Sequence, residues 1–337
     1  MAGRLARGLS GLRRDPAATL ARLRLELRLR LLSARCRYGR RRVTGTGAAV
    51  VNLTSYGHRI DTVFYAIESI ARGAVRPRRL LLWLDEADVV ADPPPILRRL
   101  MERGLEVLWC PDYGPHKKQY AYASTMASAG LPLVAADDDV LYPRLWLADL
   151  LAAYARHPED VHGHRAHRVE FDGARLAPYR RWSACTGTEA SYRTLCTGVS
   201  GILYPPALLA ALAAEGEEFT RLAPWADDIW VHSVMVRHGV RGRQVAPWQA
   251  EYDAIPGTQR GTLYGRNVRG GGNDAQIAAC FGPEELSRMR ADEPATSQGI
   301  AAEAWIPPAK ARTTGLFMRS TSPRDVSRAC AHAGHPA

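Results

Sequence analysis

The chain has 337 residues, 46% of them hydrophobic, so it can bury a full core in one large domain or two small ones. Its formal net charge is +11, but thirteen arginines and only two acids precede Thr44, and the remaining residues sum to zero. We therefore expect the basic charge to belong to an N-terminal arm. This argues against a fold that binds nucleic acid through its body.

The sequence has no run of about 18 apolar residues, and arginines interrupt each leucine cluster near the N-terminus. We therefore expect neither a transmembrane helix nor a signal peptide. The six cysteines form no CxxC pair, which is typical of reduced thiols and argues against a structural zinc site. These features predict a cytoplasmic protein.

Residues 20–32, LARLRLELRLRLL, alternate leucine with charge. As a strand they would present one all-leucine face, and as a helix two leucine stripes. The residue types favour a helix, so pattern and propensity disagree. Three interpretations remain open: a solvated, partly disordered leader, an arm on an anionic membrane surface such as the inner membrane face, or a nucleic-acid-binding segment.

From Gly47 onward, strand and helix patterns alternate. The predicted strands are 48–56, 78–86, 105–112 and 131–139, and the predicted helices between them are 61–72, 93–104 and 116–129. This order indicates a βαβ series with a parallel sheet. Each strand ends in polar or acidic residues, and ligands bind beyond the carboxyl ends of such strands.

The second half of the sequence is less regular. It predicts helices over 142–156 and 226–238, strands over 162–171 and 198–206, and a loop rich in Trp, Tyr and Thr over 178–197. Three glycines in RNVRGGGND, residues 266–274, predict a flexible loop. The tail from about Arg290 shows little pattern.

Three successive aspartates, Asp137, Asp138 and Asp139, end the fourth predicted strand in LVAADDDVLYP. Buried together, they would repel one another. Around a hard divalent cation they would serve as oxygen ligands. A solvated turn or a helix N-terminus would also accommodate them.

LVAADDDVLYP resembles the aspartate-x-aspartate segment of bacterial GT-A-fold glycosyltransferases of the family-2-like kind. VVNLTSYGHRI, RRLLLWLDE and APWADDIWVHSVMVRHG extend the resemblance over residues 48–274, in the expected order. It implies an α/β, GT-A (Rossmann-like) domain with a mostly parallel central sheet. We place this catalytic domain at residues 46–285, between a basic arm (1–45) and a C-terminal tail (286–337).

The resemblance also implies an activity. A sugar would pass from a nucleotide-sugar donor to a hydroxyl of a glycan or lipid-linked acceptor, as in polysaccharide biosynthesis, with Mn²⁺ or Mg²⁺ as cofactor. By resemblance Asp139 and Asp137 would bind the metal, Asp137 would also face the donor ribose, and Asp138 would be a further donor-side ligand.

Other residues acquire donor-side roles by the same resemblance. Those expected around the base and the phosphates are Thr54, Ser55, Tyr56, Arg59, Asp85, Lys117 and Lys118. The two lysines open a predicted helix, where their charge opposes the helix dipole, and a bound diphosphate would explain them. An ordinary turn, surface charges and solvated side chains are the alternatives.

Asp227 and Asp228 open the helix ADDIWVHSVMV, where acids also stabilise a first turn by themselves. The resemblance makes them the acidic pair of an inverting enzyme, with Asp228 as general base and Asp227 as support or alternate. Two other functions stay open. One is a sugar-phosphate nucleotidyltransferase, and the other is a non-catalytic nucleic-acid-binding protein that uses the arm.

Overall fold

The structure is a computed structural model that describes residues 16–126, 130–259 and 265–292. These described residues lie in one compact unit. The first 15 residues and the tail from residue 293 lie outside the described residues.

The strands of the described chain are short apart from the first three. They are β1 (Gly47–Thr54), β2 (Pro77–Leu84), β3 (Leu105–Trp109), β4 (Leu133–Ala135), β5 (Val140–Leu141), β6 (Val161–Gly163), β7 (Ala166–Arg168), β8 (Phe171–Asp172), β9 (Arg175–Leu176), β10 (Ser183–Ala184), β11 (Thr194–Cys196), β12 (Ile202–Tyr204), β13 (Gly242–Gln244) and β14 (Asp253–Ala254).

Helices connect these strands on both sides of the sheet. They are α1 (Pro16–Tyr38), α2 (Val63–Ala71), α3 (Ala87–Ala91), α4 (Pro95–Met101), α5 (Tyr120–Met126), α6 (Trp146–Arg156), α7 (Pro206–Glu215), α8 (Phe219–Leu222), α9 (Asp227–Arg237), α10 (Gly272–Cys280) and α11 (Pro283–Ala291). Shorter 3₁₀ turns are Gly57–Asp61, Gly114–Lys118, Tyr179–Arg181 and Gly198–Ser200.

Seven strands form the central sheet in the order β13-β6-β12-β4-β1-β2-β3. The pairs β1–β2, β1–β4, β2–β3 and β6–β13 are parallel, and β12 runs antiparallel to both of its neighbours. The predicted α/β class with a mostly parallel sheet is therefore confirmed. Since β1, β2 and β4 are parallel, the residues that follow them meet at one edge.

The core lies on both faces of this sheet. Val50 and Leu81 belong to one buried cluster, whereas Val51, Leu80 and Leu82 belong to the other. Neighbouring residues of a strand point to opposite faces, and both faces of β1 and β2 are covered. This is why these strands read as continuous apolar runs.

The leucine–arginine segment that the sequence left undecided is helical. In α1, Leu32 and Cys36 are fully buried, and Leu25 and Leu29 pack against the same cluster. These residues are three or four apart and share one face of the helix. Helical propensity thus prevails over the alternation, and the described part of this segment is an ordered helix packed on the body rather than a solvated leader.

A buried acid ties α1 to the body. Glu68 of α2 is fully buried; its carboxylate accepts a hydrogen bond from Arg103 and lies 3.5 Å from the Arg35 guanidinium of α1. Buried carboxylates need such partners because an unpaired charge in the interior is costly. Among the helices described, none combines the length and apolarity needed to cross a membrane.

The glycine-rich stretch after residue 264 is more ordered than predicted. Gly265–Arg269 forms a π-helical turn, and α10 begins at Gly272. The side chain of Asn267 donates to the Trp225 carbonyl (2.5 Å), and Asp274 accepts from the Tyr179 amide (2.7 Å). These long-range bonds, which sequence periodicity does not report, fix both sides of the glycines.

Candidate active site

The acidic triplet follows β4 in an irregular segment that ends at β5. The backbone of this segment is held by β14, since the Ile255 amide donates to the Asp139 carbonyl (2.7 Å). The Tyr142 hydroxyl, which is fully buried, accepts from the Asp137 amide (2.6 Å). The three carboxylates are therefore held at the carboxyl edge of the sheet, as the strand order requires.

Each aspartate of the triplet has a different environment. Asp138 points inward, is 4% exposed, accepts from Ser55 (2.6 Å) and pairs with Arg59 (2.8 Å). Asp137 pairs with Lys118 at 2.5 Å. Asp139 pairs with Arg59 at 2.6 Å and accepts from Gln259 at 3.2 Å.

Burial sets the protonation of two of these groups. It raises the pKa of Asp138 to about 6, although Arg59 and Ser55 oppose the shift. Burial and the neighbouring charge of Asp137 also raise the pKa of Asp139. The ionised forms of Asp138 and Asp139 are thus disfavoured, and a bound cation would stabilise them.

A second acidic pair meets the triplet because of the strand order. Strand β12 is antiparallel to β4, with Ile202 opposite Ala135, so the turn before β12 lies beside the end of β4. In that turn the Gly198 amide donates to both carboxylate oxygens of Asp228, each at 3.1 Å. The first turn of α9 is thereby fixed next to the triplet.

Lys118 lies between the acidic triplet and the second acidic pair, Asp227 and Asp228. Although burial opposes it, Asp137, Asp227 and Asp228 together hold the pKa of Lys118 well above its usual value. Burial and the charge of Asp227 in turn raise the pKa of Asp228 to about 8. One cation therefore serves acids that are about ninety residues apart in the sequence.

A cavity of about 850 Å³ opens at this edge of the sheet. Asp137, Asp139, Lys118, Asp227 and Asp228 all line it. Other lining side chains include Arg165, His167, Tyr179, Arg180, Trp182, Trp225, Glu251 and Tyr252. The cavity lining thus combines a cluster of acids with aromatic rings and arginines.

Some predicted donor residues do not line the cavity but contact the acidic triplet or lie near it. Ser55 and Arg59 support the triplet, and the Arg59 guanidinium lies 5.5 Å from the Tyr56 ring centre. Thr54 donates to the Trp83 carbonyl at 3.1 Å, while Tyr56 is about half exposed. All four lie at the carboxyl end of β1, where the sequence placed them.

Asp85 and Lys117 form an ion pair away from the cavity wall. The Lys117 ammonium lies 2.9 Å from Asp85 and 3.3 Å from Asp112, and these acids hold the pKa of Lys117 above its usual value although it is buried. The pair links the ends of β2 and β3. Of the two predicted lysines, only Lys118 faces the cavity.

The sequence reasoning missed several residues that support the site. Asn52, in the middle of β1, donates to the Lys118 carbonyl (2.7 Å) and accepts from the Trp83 indole (2.8 Å). A lone asparagine within the apolar run AAVVNL was the available signal. Gly198 and Gln259 gave no comparable signal, because their partners come from distant segments.

The two histidines near this site, His164 and His167, differ in their surroundings. His164 is buried, and its Nε2 lies 3.0 Å from the Trp146 carbonyl. Burial lowers the pKa of His164 to about 4. His167 faces the cavity, also with a pKa lowered to about 4 by burial.

Asp137 and Asp139 fit a hard divalent cation. They present carboxylate oxygens, the donors that Mn²⁺ and Mg²⁺ prefer, on the wall of a cavity. Each carboxylate also pairs with a cationic side chain of the chain itself, Asp137 with Lys118 and Asp139 with Arg59.

No protein-family model matches the chain, and no curated protein matches it in sequence. Solved structures similar to it include the following three. The crystal structure of GalNAc-T7 with UDP, GalNAc and Mn²⁺ is 13% identical, with a TM-score of 0.41, over 64% of this chain and 46% of that one.

The mannosyltransferase PcManGT from Pyrobaculum calidifontis, in complex with GDP-Man and Mn²⁺, is 14% identical, with a TM-score of 0.42, over 79% of this chain and 80% of that one. TarS 1–349 from S. aureus is 14% identical, with a TM-score of 0.37, over 63% and 58%. The chain thus spans about half the length of the first and third. At these scores the similarity carries no argument about activity.

Proposed function

We propose that this chain is a metal-dependent glycosyltransferase that moves a sugar from a nucleotide-sugar donor to an acceptor hydroxyl. One observation carries the proposal: two acidic pairs, Asp137/Asp139 and Asp227/Asp228, converge around Lys118 at the carboxyl edge of a mostly parallel sheet and line one cavity. Such an edge is where ligands bind in α/β folds.

In this proposal Asp137 and Asp139 hold Mn²⁺ or Mg²⁺. The metal, when bound, neutralises charge on the donor diphosphate and so makes the nucleoside diphosphate a better leaving group. Lys118, which lines the cavity and pairs with Asp137 at 2.5 Å, is the proposed contact to a phosphate oxygen. Arg59 keeps Asp138 and Asp139 oriented through its two ion pairs.

Asp228 is the proposed general base. It takes the proton from the acceptor hydroxyl as that oxygen bonds to the anomeric carbon and the bond from this carbon to the diphosphate breaks. The sugar is then inverted at that carbon. A base that works near neutral pH needs a pKa close to that range, and the pKa of Asp228 is raised to about 8 by burial and by Asp227.

The aromatic side chains of the cavity are the proposed acceptor side. Trp182, Tyr179 and Trp225 line the cavity together with the acids, and aromatic faces are suited to sugar rings. A glycan acceptor, free or lipid-linked, fits these surfaces, which is the substrate class expected in polysaccharide biosynthesis.

A panel of nucleotide sugars tests the proposal. Thermal unfolding is measured with UDP-, GDP-, CMP- and dTDP-sugars, each with Mn²⁺ and with EDTA. A ligand at a hundredfold excess over its Kd stabilises the folded state by about 2.7 kcal/mol. We expect one nucleotide class to raise the melting temperature only with Mn²⁺, and Asp139→Ala to abolish that shift. No shift from any donor would contradict the proposal.

A further inference from the structure

The outer face of α1 carries a stripe of exposed leucines. Leu20, Leu23, Leu27 and Leu31 are between 47% and 58% exposed, and Tyr38 further along is 74% exposed. The leucines are spaced by three or four residues, so they lie on one side of the helix. The buried Leu32 and Cys36 lie on the opposite side, which means the stripe is not required for packing on the body.

Positive charge flanks this leucine stripe. Arg24, Arg30 and Arg37 are exposed beside it. The only acid in α1 is Glu26, and it is paired with Arg22 at 3.1 Å. The segment up to residue 43 carries the whole net charge of the protein. Apolar side chains bordered by arginines are typical of a helix that lies in the plane of a membrane interface.

Hydrogen bonds and an ion pair fix α1 to the body of the protein. Arg28 donates to the carbonyls of Tyr142 (2.7 Å) and Leu141 (3.3 Å) and pairs with Asp253 (3.1 Å). These residues belong to or follow β5 and β14, the two strands that hold the Asp139 backbone. A surface bound by α1 would therefore have a fixed orientation relative to the acidic site.

We propose that the outer face of α1 docks onto the surface of an anionic phospholipid bilayer. The leucines would enter the boundary between head groups and acyl chains, and the arginines would meet lipid phosphates. Charge complementarity favours this occupant over a second copy of the chain, which would bring like charges together. The exposed leucines favour the bilayer over a nucleic acid, which would give them no apolar partner. The proposal does not depend on catalysis.

Vesicle co-sedimentation of the full chain tests this docking. The vesicles contain phosphatidylcholine alone, or phosphatidylcholine with a third of the lipid replaced by phosphatidylglycerol, at low and at high salt. Wild type is compared with Leu23→Ser/Leu27→Ser. The matched control is Met101→Ser/Leu145→Ser, which removes two apolar side chains that are 39% and 52% exposed elsewhere. Melting temperatures establish that each variant is folded.

We expect wild type to bind the phosphatidylglycerol vesicles, weakly at high salt, and not phosphatidylcholine alone. The α1 variant should bind at least about tenfold more weakly, a loss of roughly 1.4 kcal/mol, and the control should bind like wild type. Binding of the α1 variant at wild-type strength would overturn the proposal. The proposal would also be overturned if wild type did not bind anionic vesicles. This includes the outcomes in which it dimerises through the leucine stripe or binds only DNA.

Discussion

The three aspartates of the triplet have the same side chain but different surroundings. Asp138 faces inward and is bonded to Ser55 and Arg59, whereas Asp137 and Asp139 line the cavity. The triplet and its position beyond β4 could be predicted from the sequence. Which carboxylate turns inward could not, because it depends on Ser55 and Arg59, about eighty residues earlier.

Asp228→Asn distinguishes a general base from an acid that only stabilises the first turn of α9. As the base, Asp228 is needed for transfer and not for donor binding, so kcat should fall by about 10² to 10⁴ while donor affinity stays unchanged. If Asp228 only complements the helix dipole, the substitution should lower the unfolding free energy by about 0.3–1 kcal/mol and leave turnover normal. Asp227→Asn, measured in parallel, shows whether its neighbour is the base. Normal turnover in both variants would refute the inverting mechanism.

Arg59→Gln tests the charge compensation behind the cavity. It leaves Asp138 buried without its cation, and breaking such a pair costs about 3–5 kcal/mol. Because burial raises the pKa of Asp138 to about 6, the proton it gains below that pH removes the buried charge. The deficit in unfolding free energy relative to wild type should therefore be larger at pH 8 than at pH 5.

Urea titrations of the metal-free proteins at both pH values measure this deficit. Arg180→Gln is the control, since Arg180 is exposed at the cavity rim and its loss should change stability little. A deficit for Arg59→Gln that is the same at pH 5 and pH 8 would show that Asp138 is not the group responsible.

Among the elements, the turn before β12 shows how packing positions Asp228, the proposed base. Gly201 has φ = +95°, and a Cβ at this position would lie 2.6 Å from the Trp146 indole nitrogen. That indole donates to the Ser200 carbonyl (2.8 Å), and the Gly201 amide donates to Gly198 (2.9 Å). The turn that holds Asp228 is therefore shaped by a helix on the other side of β12.

Gly201→Ala should disturb this turn. The positive φ and the contact with Trp146 both disfavour a side chain, so we expect a loss of about 1–3 kcal/mol in unfolding free energy. Turnover should fall as well, because the Gly198 amide no longer meets Asp228 correctly. Gly216→Ala is a suitable control, since Gly216 also has a positive φ (63°) but nothing within 4 Å of its Cβ position. Equal turnover in the two variants would contradict this role of the turn.

Helix α1 is the element whose conformation the sequence left open. Its two leucine stripes were visible in the pattern, but only the contacts with α2 and α4 decide that one stripe is core and the other is surface. The predicted strands 131–139 and 198–206 are shorter in the structure for a related reason. Their polar ends leave the sheet to form the site instead of pairing with a neighbour.

Removal of residues 1–38 should destabilise the protein. The deletion empties the places of Leu32 and Cys36 and takes Arg35 from the buried Glu68. Loss of one buried leucine alone costs about 2–5 kcal/mol. A deletion of residues 1–15, which leaves α1 whole, is the comparison. Equal melting temperatures for the two deletions would show that α1 contributes nothing to the core and that the segment is a separable arm.

Over the whole molecule, the alternation of apolar runs and helical patterns up to residue 139 was enough to predict a mostly parallel α/β sheet. The antiparallel strand β12 was not predictable, since its direction depends on a long return through residues 164–201. That strand brings Gly198 and Asp228 to the triplet. The sequence therefore indicated both acidic pairs, while their meeting around Lys118 is a property of the complete fold.

The central claim is that these acids form one metal-dependent site for a nucleotide sugar. Its most direct test is the release of the free nucleotide from each donor of the panel, a nucleoside diphosphate or, from a CMP-sugar, CMP, with Mn²⁺ and with EDTA, by wild type and by Asp139→Ala. We predict that wild type consumes one class of donor only with Mn²⁺, and that Asp139→Ala, although folded, does not. Consumption that is unchanged in EDTA or in Asp139→Ala, or the absence of consumption of any donor by wild type, would contradict it.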